Sequence, residues 1–193
     1  MAEADRERWN GKYRAGSHGP VAPSVALTEL ERWVPSSGRA LDVAGGTGGN
    51  AIWLAQRGLE VTVVDISEVG LARAVEAGVR AGVDLRVAQL DLEEAPLPEG
   101  PFALVLCSHY LQRDLIPRLA RVLAPGGVLL WLHPTVTNLE RHAKPGRRFL
   151  LELGEAERLA AAAGLGVVWS EESWVGQGEG ARHLARVVAR RES

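Results

Sequence analysis

Three carboxylates and a run of glycines carry the chemistry that can be read from this chain. Asp42 sits in a short apolar run, Leu41-Asp42-Val43-Ala44, and Gly45, Gly46, Gly48 and Gly49 follow it. A second apolar run, Glu60 to Val64, closes on Asp65, and a third acid, Asp91, comes just after another strand-like stretch. Glycine has no Cβ, so such a loop turns tightly and lets a ligand approach its backbone amides. An acid ending the second run lies where a ribose diol needs an acceptor of charge-assisted hydrogen bonds. Strand, glycine loop, helix, strand and acid together describe a site for a nucleoside-bearing cofactor. A lone GxG turn, or a lone acid capping a helix, would be structural; the combination points to a ligand.

Positioning these groups requires an open α/β sheet. Residues 2–14 read as a helix with Trp9 and Tyr13 on one face. Gly16, Gly19, Pro20 and Pro23 break it, and Ser24 caps a second helix through Val25, Leu27, Leu30 and Trp33 to Pro35. After the organising unit, Ser67 caps a helix that runs to Gly82, and Asp84 to Gln89 form a third strand. Phe102 to Cys107 is apolar enough for a central strand covered on both faces. A helix from Gln112 to Leu123 ends at Pro125-Gly126-Gly127, and Val128 to Leu132 form the fifth strand. Residues 134–148 lack periodicity; a helix over Gly154–Ala163 precedes strands at Gly166–Glu172 and Ala181–Arg190. Those last two strands are too close for a crossover helix and must be antiparallel. The expected fold is a Rossmann-like α/β domain. Its seven-stranded sheet is mostly parallel, with an antiparallel C-terminal hairpin and helices on both faces. One domain is expected, with residues 1–36 as a helical cap on a core of residues 37–193.

Composition narrows the alternatives. A formal net charge of −2 does not suggest a polyanionic partner, so nucleic acid is not favoured. Cys107 is the only cysteine, which excludes an intramolecular disulfide and a cysteine metal cluster. There is no apolar run long enough to span a membrane and no signal-peptide core near the start, so a cytoplasmic protein is expected. A small-molecule substrate, no metal, and a monomer or homodimer complete the expectation.

Four stretches, in order, resemble the motifs of class I S-adenosylmethionine-dependent methyltransferases. Leu41 to Gly48 resembles the first motif, Val63-Val64-Asp65-Ile66-Ser67 the second, Gln89-Leu90-Asp91-Leu92 the third, and Leu123 to Leu130 the turn before the fifth strand. Ala44 departs from the family, where many members have glycine. The resemblance implies S-adenosylmethionine as cofactor. Gly45, Gly46 and Gly48 would pass beneath its methionine part, and Asp42 would orient loop amides or accept from its ammonium. Asp65 would hold the ribose and Asp91 the adenine amine, with Ile66 and Leu92 sandwiching the base. A nicotinamide dehydrogenase shares the glycines and the second acid. It does not account for Asp42, Asp91-Leu92 or the terminal hairpin.

Ligands in such sheets sit at the carboxyl ends of the strands, so Ser108-His109-Tyr110-Leu111 after the fourth strand faces the site. This stretch, with Trp9, Tyr13 and Arg14, Pro23-Ser24 and Phe149 to Glu152, resembles the small bacterial tellurite-resistance and thiopurine methyltransferases. In that group Tyr13 and Arg14 would close over cofactor and substrate, and Ser108 would line the cofactor. His109 is the candidate catalytic base, since imidazole titrates in the useful range, or else a group packing on the cofactor. His133 is a second candidate. Arg113, Arg141, Arg147 and Arg148 would either neutralise an anionic substrate or form a solvated face. The acceptor implied is a small molecule with a soft nucleophile, a thiol or a chalcogen, which needs little beyond proximity and alignment. An RNA or protein methyltransferase and a catalytically silent cofactor-binding module are the alternatives.

Overall fold

In the computed structural model, residues 2–16 and 21–192 are described. Gly19 and Pro20, expected to break the first helix, lie outside the described residues. The chain starts with α1 (Ala2–Arg14) and a single turn, α2 (Val25–Thr28). An alternating core follows: β1 (Gly38–Val43), α3 (Gly49–Ala55), β2 (Leu59–Asp65), α4 (Glu68–Arg80) and β3 (Arg86–Gln89). It continues with β4 (Phe102–Ser108), α5 (Ile116–Val122) and β5 (Leu123–Pro134). Then α6 (Glu155–Ala162) precedes a hairpin of β6 (Leu165–Val175) and β7 (Arg182–Arg191).

All seven strands join one sheet in the order β3-β2-β1-β4-β5-β7-β6. The first five pair in parallel, and β7 runs antiparallel between β5 and β6. The expected fold class is therefore observed. Alternation along the central strands splits the core in two. Val105 and Cys107 of β4, with Leu129 and Trp131 of β5, pack beneath α5 and α6. Leu104 and Leu106, with Leu130 and Leu132, pack with Leu27, Leu30 and Leu54 on the opposite face. Burial on both faces is why β4 reads as an unbroken apolar run.

Three local expectations change. The helix expected from Ser24 to Pro35 is one α turn followed by a 3-10 turn, Glu31–Trp33. The Ser24 hydroxyl makes no cap; its amide instead donates to Asn50 Oδ1 at 2.8 Å, so a tertiary contact fixes this start. The helix expected from Gln112 is a 3-10 turn, Arg113–Leu115, leading into the short α5. The Pro125-Gly126-Gly127 turn lies inside β5 rather than before it. Phe102 pairs with Leu123 and Leu104 already with Val128, so the intervening residues bulge. Arg191 Nη1 holds the bulge by donating to Arg121 O at 2.9 Å and Leu123 O at 2.6 Å.

After β5, the aperiodic segment contains a 3-10 turn, Val136–Glu140. Buried Asn138 stitches it to β7, donating to His183 O at 2.5 Å and accepting from His183 N at 3.1 Å.

Candidate cofactor and acceptor site

The glycine loop joins β1 to α3 at the carboxyl edge of the sheet. Ala44 takes φ +55°, a left-handed conformation that ordinarily favours glycine. Gly48 takes φ +79° as the N-cap of α3, and a Cβ there would lie 2.8 Å from the Ala74 Cβ. Conformation and space both demand glycine at that position.

Asp65 fastens the loop. Its Oδ2 accepts from the Gly46 amide and its Oδ1 from the Ser67 amide, each at 2.9 Å. The expectation that Asp42 orients the loop amides is corrected for this bond: the Gly46 amide goes to Asp65. Ser67 caps α4 as expected, accepting from the Gly70 amide at 3.1 Å, and donates to Asn10 Oδ1 at 2.6 Å.

Asp42 stands behind the loop, 1% exposed, with neither carboxyl oxygen hydrogen-bonded. Gly45 leaves it room, since a Cβ there would lie 2.7 Å from its Oδ2. Burial, and then the Asp65 charge, push the Asp42 carboxyl up to about 7, opposed by the nearby Ala51 amide. An orphaned buried acid of this kind fits a site that receives a donor such as an ammonium. Tyr13 lies over the loop: its hydroxyl stands on Gly46, and its ring comes within 2.8 Å of a Cβ position on Gly70. Trp9 stacks on it with ring centroids 5.8 Å apart. Burial, Asp65 and Asp42 all raise the Tyr13 phenol, which stays protonated. Arg14 is exposed at the end of α1.

Next to Asp65 an open groove of about 490 Å³ is lined by Ile66, Gln89, Leu90 and Asp91, with Glu3 and Arg6 from α1. Asp91 Oδ1 accepts from the Glu93 amide at 3.0 Å, which fixes the carboxylate at the groove edge. Leu92 departs from expectation. It is 4% exposed, in the core with Val43 and Val64, and Leu90 stands in the groove with Ile66 instead. Arg118 Nη1 donates to Leu92 O at 2.7 Å.

On the acceptor side, His109 takes φ +58° and its amide donates to Leu132 O at 2.8 Å. Ser108 Oγ lies 2.9 Å from His109 Nδ1. Desolvation by the surrounding protein, then the Arg182 cation, hold this imidazole below its ordinary value. The side chain nevertheless keeps solvent contact, which limits the size of that effect. His133 is buried, with Nε2 2.9 Å from Phe149 O and Nδ1 without a partner; burial pushes it down to about 4. Cys107 is buried and pushed up to about 12, as a core thiol rather than a nucleophile.

The arginines sort themselves. Arg113 grips Glu155 at 2.5 and 3.1 Å, and Arg147 grips Glu152 at 3.0 and 2.8 Å. Arg141 lies 3.9 Å over the Trp174 ring, and Arg148 lies 4.5 Å over Phe149. Sequence reading missed Trp174, Arg182 and His183, which reach this end of the sheet only because β7 inserts antiparallel beside β5. Among the described residues no group of His, Cys, Asp and Glu is arranged to hold a metal ion. No helix among them is long and apolar enough to cross a membrane.

Residues 40–127 match a family model described as a methyltransferase domain. The ribosomal protein L11 methyltransferase of Thermus thermophilus is 34% identical over 146 residues, covering 72% of this chain and 57% of that protein. The chain spans about half the length of the curated relatives it matches. TehB from Haemophilus influenzae shares the fold with TM-score 0.74 at 17% identity, over 94% of this chain and 66% of that one. A structure concerned with conversion of a disulfide bond into a thioacetal group during echinomycin biosynthesis superposes with TM-score 0.77 at 22% identity, over 97% and 93%. Sheet order and glycine loop are those of the class I S-adenosylmethionine-dependent methyltransferase fold, and the match over residues 40–127 places that part of the chain among methyltransferase domains. S-adenosylmethionine is the methyl donor of such domains, and the nicotinamide alternative falls away. Likeness to TehB is a likeness of fold.

Proposed function

We propose that this domain methylates a small-molecule acceptor through a soft nucleophile, a thiol or a chalcogen. The observation that carries the reading is His109. It is an imidazole held neutral, with solvent contact, at the end of β4 where an acceptor would meet the cofactor. S-adenosylmethionine, when bound, supplies an electrophilic sulfonium methyl and leaves as S-adenosylhomocysteine. Asp65 would hold the ribose, Asp91 the adenine amine, and Ile66 with Leu90 the faces of the base. Asp42 and the Gly45–Gly48 amides would receive the amino-acid end, with Tyr13, Arg14 and Ser108 closing around it. Residues 1–36 would then act as a cap over the core of residues 37–193. His109 would take the acceptor proton, and a positioned soft nucleophile needs little beyond that and alignment.

The test is incubation with S-adenosylmethionine and a panel of thiols, selenite and tellurite, following S-adenosylhomocysteine. Formation above the protein-free rate is expected; a panel-wide failure by protein that binds the cofactor would overturn the reading. A protein acceptor is the second reading, favoured by the relative named for ribosomal protein L11. Methyl incorporation into ribosomal protein, with none into the panel, would select it.

A further inference from the structure

We propose that Arg182 recognises the methyl acceptor, presenting its Nε–Nη2 edge to a carboxylate that the acceptor carries beside His109. The inference rests on the small-molecule reading above and names the substrate class. Because β7 is antiparallel, its first residues lie at the carboxyl ends of the parallel strands. Leu184 pairs with Pro134, and the Thr135 amide donates to His183 O at 3.0 Å. Arg182 therefore starts the strand at the same end as His109 and the glycine loop.

The guanidinium is fixed through one nitrogen. Nη1 donates to Glu179 O at 2.9 Å and to Ala181 O at 2.8 Å, and lies 3.0 Å from His142 Nε2. None of these bonds uses Nε or Nη2, and no carboxylate pairs with Arg182 among the described residues. Arg113 and Arg147 show what that edge does elsewhere in this molecule: each presents Nε and Nη2 to a glutamate. The edge is a two-donor fork matched to a planar, two-oxygen anion.

The neighbouring wall is flat. Trp174 carries Arg141 over its ring and meets His183 edge-on with centroids 5.5 Å apart. His183 is held in turn by Thr135, with Oγ1 2.7 Å from Nδ1. A flat acceptor could lie along this wall with its carboxylate on Arg182 and its nucleophile toward His109. Arg182 is close enough to depress the His109 imidazole. The same cation would also favour the deprotonated form of an acceptor thiol.

Benzoate is a suitable probe, titrated calorimetrically into protein saturated with S-adenosylhomocysteine, with benzamide as its neutral counterpart. Wild-type protein should bind benzoate and not benzamide. Arg182→Gln should weaken benzoate about tenfold or more while leaving S-adenosylhomocysteine affinity unchanged, which certifies the folded site. Arg182→Lys, which keeps the charge and loses the fork, should restore only part. Undetectable benzoate binding by the wild type, equal binding of benzamide, or indifference to Arg182→Gln would each overturn the inference. Thiol turnover is read separately. Benzoate binding through Arg182 without methylation of any thiol would keep the carboxylate site and remove the soft-nucleophile reading.

Discussion

A carboxyl group at Asp42 is kept where burial opposes its charge, and this has a measurable consequence. Its folded-state affinity for a proton is raised, so its stabilising contribution is complete in acid and is lost as pH rises through about 7. Asp42→Asn should therefore flatten the decline and be more stable than wild type at pH 8 by roughly 2–4 kcal/mol. Urea unfolding at pH 5 and pH 8 measures this; parallel pH dependence in the two proteins would refute it. The same variant should bind S-adenosylmethionine more weakly. At Asp65, substitution by alanine removes the clasp on Gly46 and Ser67 and, with it, the proposed ribose acceptor. A loss on the order of 1.5–3 kcal/mol in cofactor affinity is expected by calorimetry, and an unchanged affinity would sink the assignment. His109 is depressed, so as a base it should stay active until pH falls below the ordinary imidazole range. The acid limb of kcat/KM on the best panel thiol should disappear in His109→Gln.

The element that couples these residues is α1. Asn10 is fully buried; its Nδ2 donates to Glu68 Oε1 at 2.8 Å, and its Oδ1 accepts from Ser67. Helix and cofactor loop are thus joined through the first turn of α4, with Tyr13 between them. Asn10→Ala should cost about 1–3 kcal/mol of this docking. Residues 2–16 should then be cleaved faster in limited proteolysis, with protection recovered on adding S-adenosylhomocysteine. Equal cleavage rates would show that α1 docks without Asn10. Strands, glycine loop and the Ser67 cap were legible because each is written in a few adjacent residues. Leu92 was misplaced because, as the chain leaves a strand, neighbouring side chains face opposite ways and one position reverses the outcome. Ser24 was misread because Asn50, not its own hydroxyl, decides the local geometry. Arg182 was not legible at all, since its place at this end of the sheet depends on which strand lies beside β5.

For the whole molecule, the proposed cofactor site and the core are one structure: β1, β2 and β4 supply both the apolar interior and the carboxyl edge where that site lies. Ligand binding should therefore stabilise the fold globally. S-adenosylhomocysteine at a hundred times its Kd adds about 2.7 kcal/mol, raising the midpoint of thermal unfolding by about 5–10 °C. Asp65→Ala should lose most of that rise at the same ligand concentration. Arg186, 6% exposed and bound to Glu29 at 2.5 Å and to Glu171, ties the α2 region to the hairpin. The hairpin's order matters most during synthesis. β6 is translated before β7, yet its sheet contacts are all with β7. Until residue 191 has emerged from the ribosome, β5 has an unpaired apolar edge and β6 has no partner. Nascent chains stalled after Val175 should consequently be the form most dependent on chaperones, and released fragments ending there should be insoluble.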